Sequence, residues 1–139
     1  MAHKLFVDTS IFLAFIDRAH PNHLRANHLL ENIASAKNYQ LFTSLTNITE
    51  TATVLTYDMG ISLALDFVST LLESDVEIVY PSRADLVTAH KIMKSNRDRA
   101  ITPKEALNAT LMQRRDVTYT LTFGSWNNLF GTHISNLSA

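Results

Sequence analysis

Lys4-Leu5-Phe6-Val7-Asp8-Thr9-Ser10 is the stretch that decides the reading of this chain. Residues 4–7 form a short apolar, β-prone run, as expected of a strand buried on both faces, and Asp8 closes it. Asp8-Thr9-Ser10 then offers caps for a helix over residues 11–16. Pro21-Asn22 breaks that helix, and Asn22 is placed to cap a second one, with Leu24, Leu29, Leu30 and Ile33 near helical spacing. Residues 39–43 read as a second strand. Ser44 or Thr46 caps the next helix, which carries Ile48, Thr51, Ala52 and Leu55 and stops at Gly60. Residues 61–74 read as another amphipathic helix and 76–80 as a third strand, and Pro81-Ser82 leads into a helix that runs to Met93. Thr102-Pro103-Lys104-Glu105 is a helix start: Thr102 is the cap, Pro103 suits the first helical position, and Glu105 completes a capping box. Residues 118–122 read as a fourth strand, and a short fifth is expected around His133-Ile134. Strands alternating with helices imply an α/β fold: three layers, α/β/α, around a parallel sheet of four to five strands. No repeat, low-complexity tract or linker interrupts the pattern, so residues 1–139 are read as one domain.

Composition narrows the function. With 46% hydrophobic and 18% charged residues, three Gly and three Pro, the chain is that of a globular protein rather than a disordered one. It has no cysteine, which excludes disulfides, thiolate zinc sites and a Cys nucleophile. No run approaches the roughly 18 apolar residues of a membrane span. The opening MAHKLFVDTS has no signal-peptide pattern, and the reading is cytoplasmic. Net charge is −1, but it is unevenly spread. Arg83, Lys91, Lys94, Arg97, Arg99, Lys104, Arg114 and Arg115 cluster against only Asp85, Asp98 and Glu105, whereas the first 82 residues carry four basic residues and nine acids. Such asymmetry fits either a face for a polyanion or ordinary solvated helix faces.

Three carboxylates carry the chemistry. Asp8 ends the first strand, Glu50 lies in the first turns of the helix after the second, and Glu105 opens the helix before the fourth. In open parallel sheets, sites form beyond the C-terminal strand ends, so all three project toward one end. Their repulsion must be offset by a shared proton, a basic residue or a divalent cation. Oxygen-only ligation suits Mg²⁺ or Mn²⁺. Each acid also has a plainer role: Asp8 as a helix cap, Glu50 as a solvated residue, Glu105 as half of the capping box.

In order along the chain, Phe6-Val7-Asp8-Thr9-Ser10, Thr43-Ser44 followed by Glu50, Ile101-Thr102-Pro103-Lys104-Glu105-Ala106, and Leu121-Thr122-Phe123 followed by Phe130-Gly131 resemble the motifs of PIN domains. The resemblance is to those of VapC-type toxins of toxin–antitoxin pairs. It implies a Mg²⁺- or Mn²⁺-dependent endoribonuclease with Asp8, Glu50 and Glu105 as catalytic metal ligands. It also implies an RNA substrate, a homodimer and an antitoxin partner. There are two departures. Glu105 stands where the family usually has Asp, which extends the carboxylate by about 1.5 Å. Gly124 stands where the family often has a fourth acid, and no acid follows Asp116. Ser125, Asn127 or Asn128 is a candidate neutral oxygen ligand in its place.

The remaining polar residues form no competing site. His20, His23 and His28 lack the i, i+4 spacing of a helical zinc pair and read as surface residues, and Ser10 has no triad partners. Trp126 suits base stacking or core cover. Lys91, Lys94, Arg97 or Arg99 would hold an RNA backbone. Three function classes follow: a nuclease; a catalytically weakened or inactive PIN-like module that binds RNA or a protein; and a structural dimer using apolar faces around Leu55 and residues 63–72.

Overall fold

The computed structural model describes residues 3–124 and 129–135. Along the chain lie β1 (His3–Val7), α1 (Thr9–Ile16), α2 (His23–Ala36), β2 (Tyr39–Ser44), α3 (Leu45–Met59) and α4 (Ile61–Glu73). Then come β3 (Glu77–Val79), α5 (Arg83–Ser95), a 3₁₀ turn (Arg97–Arg99), α6 (Pro103–Arg114), β4 (Tyr119–Leu121) and β5 (Thr132–Ile134). All strand pairs are parallel, in the order β3-β2-β1-β4-β5. The three-layer reading holds, with five strands. No helix among the described residues is long and apolar enough to cross a membrane.

The strand residues alternate between two cores, as the two-residue repeat of a strand requires. Leu5, Val7 and Leu121 pack with α1, α2, α3 and α4 through Ile11, Leu29, Leu55 and Phe67. Phe6, Phe42 and Val79 face the other way, onto Leu111 and Met112 of α6. Ala89 of α5 then packs with Ile101 and Ala106. β1 is covered on both sides, which explains its uninterrupted apolar run.

The boundaries follow local chemistry. Asp8 caps α1 through Ser10 N–H, Ser44 caps α3 through Asn47 N–H, and Thr102 caps α6 through Glu105 N–H. Of Ser44 and Thr46, it is therefore Ser44 that serves. Asn22 stands at the α2 start, but its side chain makes no capping bond. A full capping box forms at Ser82 and Asp85 of α5, a pair that sequence reasoning passed over. Gly131 enters β5 at φ 76°, and a Cβ there would lie 2.4 Å from the Thr118 carbonyl oxygen, so only glycine fits. Leu55, which the structural-dimer alternative put on an interface, is a core residue at 1% exposure; the outward apolar stripe of α4 is Ile61, Leu65 and Leu72.

The strand order reverses between β1 and β4. α1–α4 join the strands on one side of β1, and α5 and α6 lie across the other face. The crevice beyond the ends of β1 and β4 is therefore the topological switch point, where open α/β sheets place their sites.

Candidate active site

A cavity of about 270 Å³ opens at that switch point, lined by Asp8, Thr102, Lys104, Glu105, Asn108, Thr120, Thr122 and Gly124. Asp8 reaches it because β1 ends there; its amide still bonds the Leu121 carbonyl at 3.0 Å, continuing the ladder. One carboxylate oxygen of Asp8, Oδ2, is saturated. It accepts from Ser10 N–H (3.2 Å), Ser10 Oγ–H (2.8 Å) and Thr122 Oγ–H (2.9 Å). Ser10 Oγ in turn accepts the Phe123 amide at 3.0 Å, and Thr122 Oγ accepts the Gly124 amide at 2.9 Å. The end of β4 is thereby tied to the start of α1. The other oxygen, Oδ1, faces the Lys104 ammonium at 3.4 Å.

The same ammonium lies 3.0 Å from Glu50 Oε1. Lys104 thus bridges the end of β1 and the second turn of α3. Lys104 supplies one of the three possible offsets to carboxylate repulsion, a basic residue. Glu105 shares the cavity with Asp8. Among the described residues, no three His, Asp or Glu side chains are grouped tightly enough to hold a metal ion in this arrangement. Asp8 and Glu50 meet across one cation, and Glu105 stands on the same cavity without closing a cage.

A buried polar network fixes the floor. Asn47 Nδ2 donates to the Val7 carbonyl at 2.9 Å, and Thr43 Oγ–H donates to the same oxygen at 2.9 Å. Asn108 Nδ2 donates to Asn47 Oδ1 at 3.0 Å, while Ser44 Oγ–H donates to Asn108 Oδ1 at 2.8 Å. β1, β2, α3 and α6 are locked together around the Val7 carbonyl, one residue before Asp8. Every buried side-chain polar atom described has a partner, which is the condition under which such a network rigidifies rather than destabilises.

Sequence reasoning overlooked Lys104, Ser10, Thr122, Asn47 and Asn108 as site residues. Lys104 left a signal: a cation in the first turn of a helix sits at the wrong end of the macrodipole. Asn108 left another, a polar amide among Ala106, Ala109, Leu111 and Met112. Of the basic cluster, Arg114 instead grips Asp85 through two nitrogens (3.1 and 2.9 Å), and Arg115 pairs with Glu77 at 2.7 Å. Lys91, Lys94, Arg97 and Arg99 are exposed on α5 and the 3₁₀ turn. His23 is not a plain surface residue, because Nδ1 lies 2.9 Å from the Ala14 carbonyl and joins α2 to α1. Ser125, Trp126, Asn127 and Asn128 lie outside the described residues.

The chemistry of the donors, though not their present spacing, suits a hard divalent cation. All the acids offer oxygen, Asp8 holds one oxygen fixed and turns the other inward, and the place between Asp8 and Glu50 already attracts positive charge.

The family model of the PIN domain matches residues 5–125. Among solved structures, the fold is similar to that of VapC20 from Mycobacterium tuberculosis, described as a sarcin-ricin loop cleaving toxin. Identity is 21% over 87% of this chain and 90% of that one, with a TM-score of 0.77. It is also similar to VapBC2 from Rickettsia felis, solved bound to a DNA fragment from their promoter, at 15% identity, 87% and 88% coverage and a TM-score of 0.64. FitAcB from Neisseria gonorrhoeae matches at 11% identity, 94% and 96% coverage and a TM-score of 0.65. No curated protein matches the chain.

Proposed function

Because this chain belongs to the PIN domain family, we propose that it is a Mg²⁺- or Mn²⁺-dependent endoribonuclease and the toxin of a toxin–antitoxin pair. The observation that carries the reading is the convergence of Asp8 and Glu50 on one cation beside a cavity that Glu105 also lines. These three acids would hold the metal. When bound, such an ion would activate water for attack and offset negative charge on the phosphate.

The chain's own residues prepare the site. Ser10 and Thr122 fix Asp8 through Oδ2, which leaves Oδ1 facing Lys104. Asn47 and Asn108 hold the elements beneath it. Lys91, Lys94, Arg97 and Arg99 supply a charged surface for the RNA backbone, which positions a strand without reading its sequence. The whole chain is taken to act as one domain, in the cytoplasm. An apolar groove of about 350 Å³ between α1 and α4, lined by Phe12, Phe15, Leu63 and Phe67, suits an amphipathic helix of an antitoxin. The Ile61, Leu65 and Leu72 stripe suits a homodimer contact.

The test is cleavage of single-stranded RNA by purified protein with Mg²⁺ or Mn²⁺, beside Asp8→Asn and an EDTA control. Wild type cuts, and both controls abolish cutting. Absence of cleavage with either ion sinks the nuclease reading. Gly124, which lines the cavity without a side chain, favours a second reading: a weakened or inactive PIN-like module that binds RNA or a protein. RNA binding that survives Asp8→Asn, with no metal-dependent turnover in wild type, supports that one.

A further inference from the structure

We propose that Lys104 is a built-in cation of this site, which a divalent ion must displace from the Asp8–Glu50 pair before it can bind. The inference rests on the reading that these two carboxylates take such an ion. Three observations carry it. The Lys104 ammonium is within 3.4 Å of Asp8 Oδ1 and 3.0 Å of Glu50 Oε1, so it holds the point between them. The Asp8 oxygen it meets is the one left open by Ser10 and Thr122, whose donors all converge on the other oxygen. Finally, Lys104 is the second residue of α6, where the helix N-terminus repels a cation. Neither the helix nor burial accounts for its position; the two carboxylates do.

Lys104 is also able to leave. Its side chain is 28% exposed, on a flexible four-carbon stem at the cavity wall. The two ammonium contacts are those of partly exposed pairs, which are individually weak. The chain thus stands in a lysine-closed form at low metal, and apparent metal affinity is reduced by the fraction of molecules in which the pair is open. The lysine offsets the repulsion between Asp8 and Glu50 in the absence of an ion. Once displaced, it remains at the cavity mouth.

The probe is Mn²⁺ alone, followed by electron paramagnetic resonance without RNA, on wild type, Lys104→Met and Asp8→Asn. Lys104→Met is expected to bind Mn²⁺ roughly 3- to 30-fold more tightly than wild type. Asp8→Asn is expected to lose binding. In wild type, amine acylation of Lys104, read by mass spectrometry, is expected to rise as Mn²⁺ is added while that of Lys91 stays constant. Unchanged or weaker Mn²⁺ binding by Lys104→Met overturns the proposal, and so does acylation of Lys104 that ignores Mn²⁺. If Asp8→Asn binds Mn²⁺ as well as wild type, the metal-site reading itself fails, and that failure is distinct from the lysine's. A rise in acylation separates displacement from mere charge repulsion at a distance, which would leave the ammonium where it is.

Discussion

Two ion-pair clusters in this protein use the same kinds of side chain and end in opposite conditions. At the α5 start, Asp85 is 4% exposed and every acceptor is engaged. Arg114 takes both oxygens, and the Ser82 amide and hydroxyl add two further bonds to Oδ2. Burial alone would raise the Asp85 carboxyl; the Ser82 amide, Arg114 and the Ser82 hydroxyl outweigh it and hold it below the ordinary carboxylate value. At the switch point, a single ammonium serves two carboxylates that are 22% and 42% exposed, beside an open cavity. The first cluster is closed and joins α5 to α6. The second is under-neutralised, one positive charge against the two of Asp8 and Glu50, and can accept more. A saturated pair holds a fold together, whereas an unsaturated one leaves capacity for a ligand.

The contrast is broken most forcefully at Asp8. Asn caps a helix as well as Asp, so Asp8→Asn leaves the fold intact and removes only charge. RNA cleavage is expected to fall by about 100-fold or more, the scale of losing a group that stabilises charge at a reacting centre, with Tm nearly unchanged. A large fall in Tm with normal cleavage would show that Asp8 is structural. Asp85→Ala is the reciprocal change. It removes a cap partner and an ion pair, so stability should drop by about 2 kcal/mol and Tm by about 7 °C, while cleavage per folded molecule stays the same. The loss is moderate because Arg114, at 44% exposure, rehydrates.

The Asp85 cluster also has a sign in pH. Its folded carboxyl titrates below the unfolded value of about 3.9, so the unfolded chain takes up the proton first as pH falls. The contribution of Asp85 is therefore complete above about pH 5 and is lost as pH falls through the folded value. Urea midpoints of wild type and Asp85→Ala should converge as the pH is lowered below about 4. A gap that stays constant down to about pH 3 would mean that the lowered proton affinity of Asp85 contributes nothing to stability.

The alternation of strands and helices, the parallel sheet and the gathering of the three carboxylates at one end were legible in the sequence because each depends on pattern. The apolar run of residues 4–7, the caps at Asp8, Ser44 and Thr102, and Pro103 are local signals, and parallel topology carries Asp8, Glu50 and Glu105 toward one end. The roles of Lys104, Thr122, Asn47 and Asn108 were not legible, because each depends on a partner far away in the chain, as with the Lys104–Glu50 bond at a separation of 54. Leu55 was misjudged for a related reason: an apolar helix face shows that something covers it, but not whether α4 or another molecule does.

Gly124→Asp sharpens the comparison from the other side by supplying the missing acid. Among the described residues, a Cβ at Gly124 would meet only Thr122 Oγ, at 3.4 Å, and the backbone there is not in the left-handed region, so these residues leave room for a side chain. Adding a negative charge on the same cavity should tighten Mn²⁺ binding by roughly 3- to 10-fold by Coulomb attraction at a wet surface. Unchanged affinity would mean that residue 124 points away from the ion, and the Gly124 departure would then have no bearing on activity.

The smallest effects lie in the basic residues, and they separate the two kinds of cation. Lys91 and Arg97 are exposed on α5 and the turn after it, whereas Arg114 is committed to Asp85. Changing Lys91 or Arg97 to Ala should weaken RNA binding only a few-fold each and lower the salt slope by about 0.7 for every phosphate no longer neutralised. Arg114→Ala should change stability and leave the slope alone. The salt slope is the decisive quantity, because a loss of folded protein lowers apparent affinity by the same factor at every salt concentration. If Arg114→Ala flattens the slope as much as Arg97→Ala does, the Asp85 pair is part of the nucleic-acid surface, and the division between a closed structural cluster and an open functional one no longer holds.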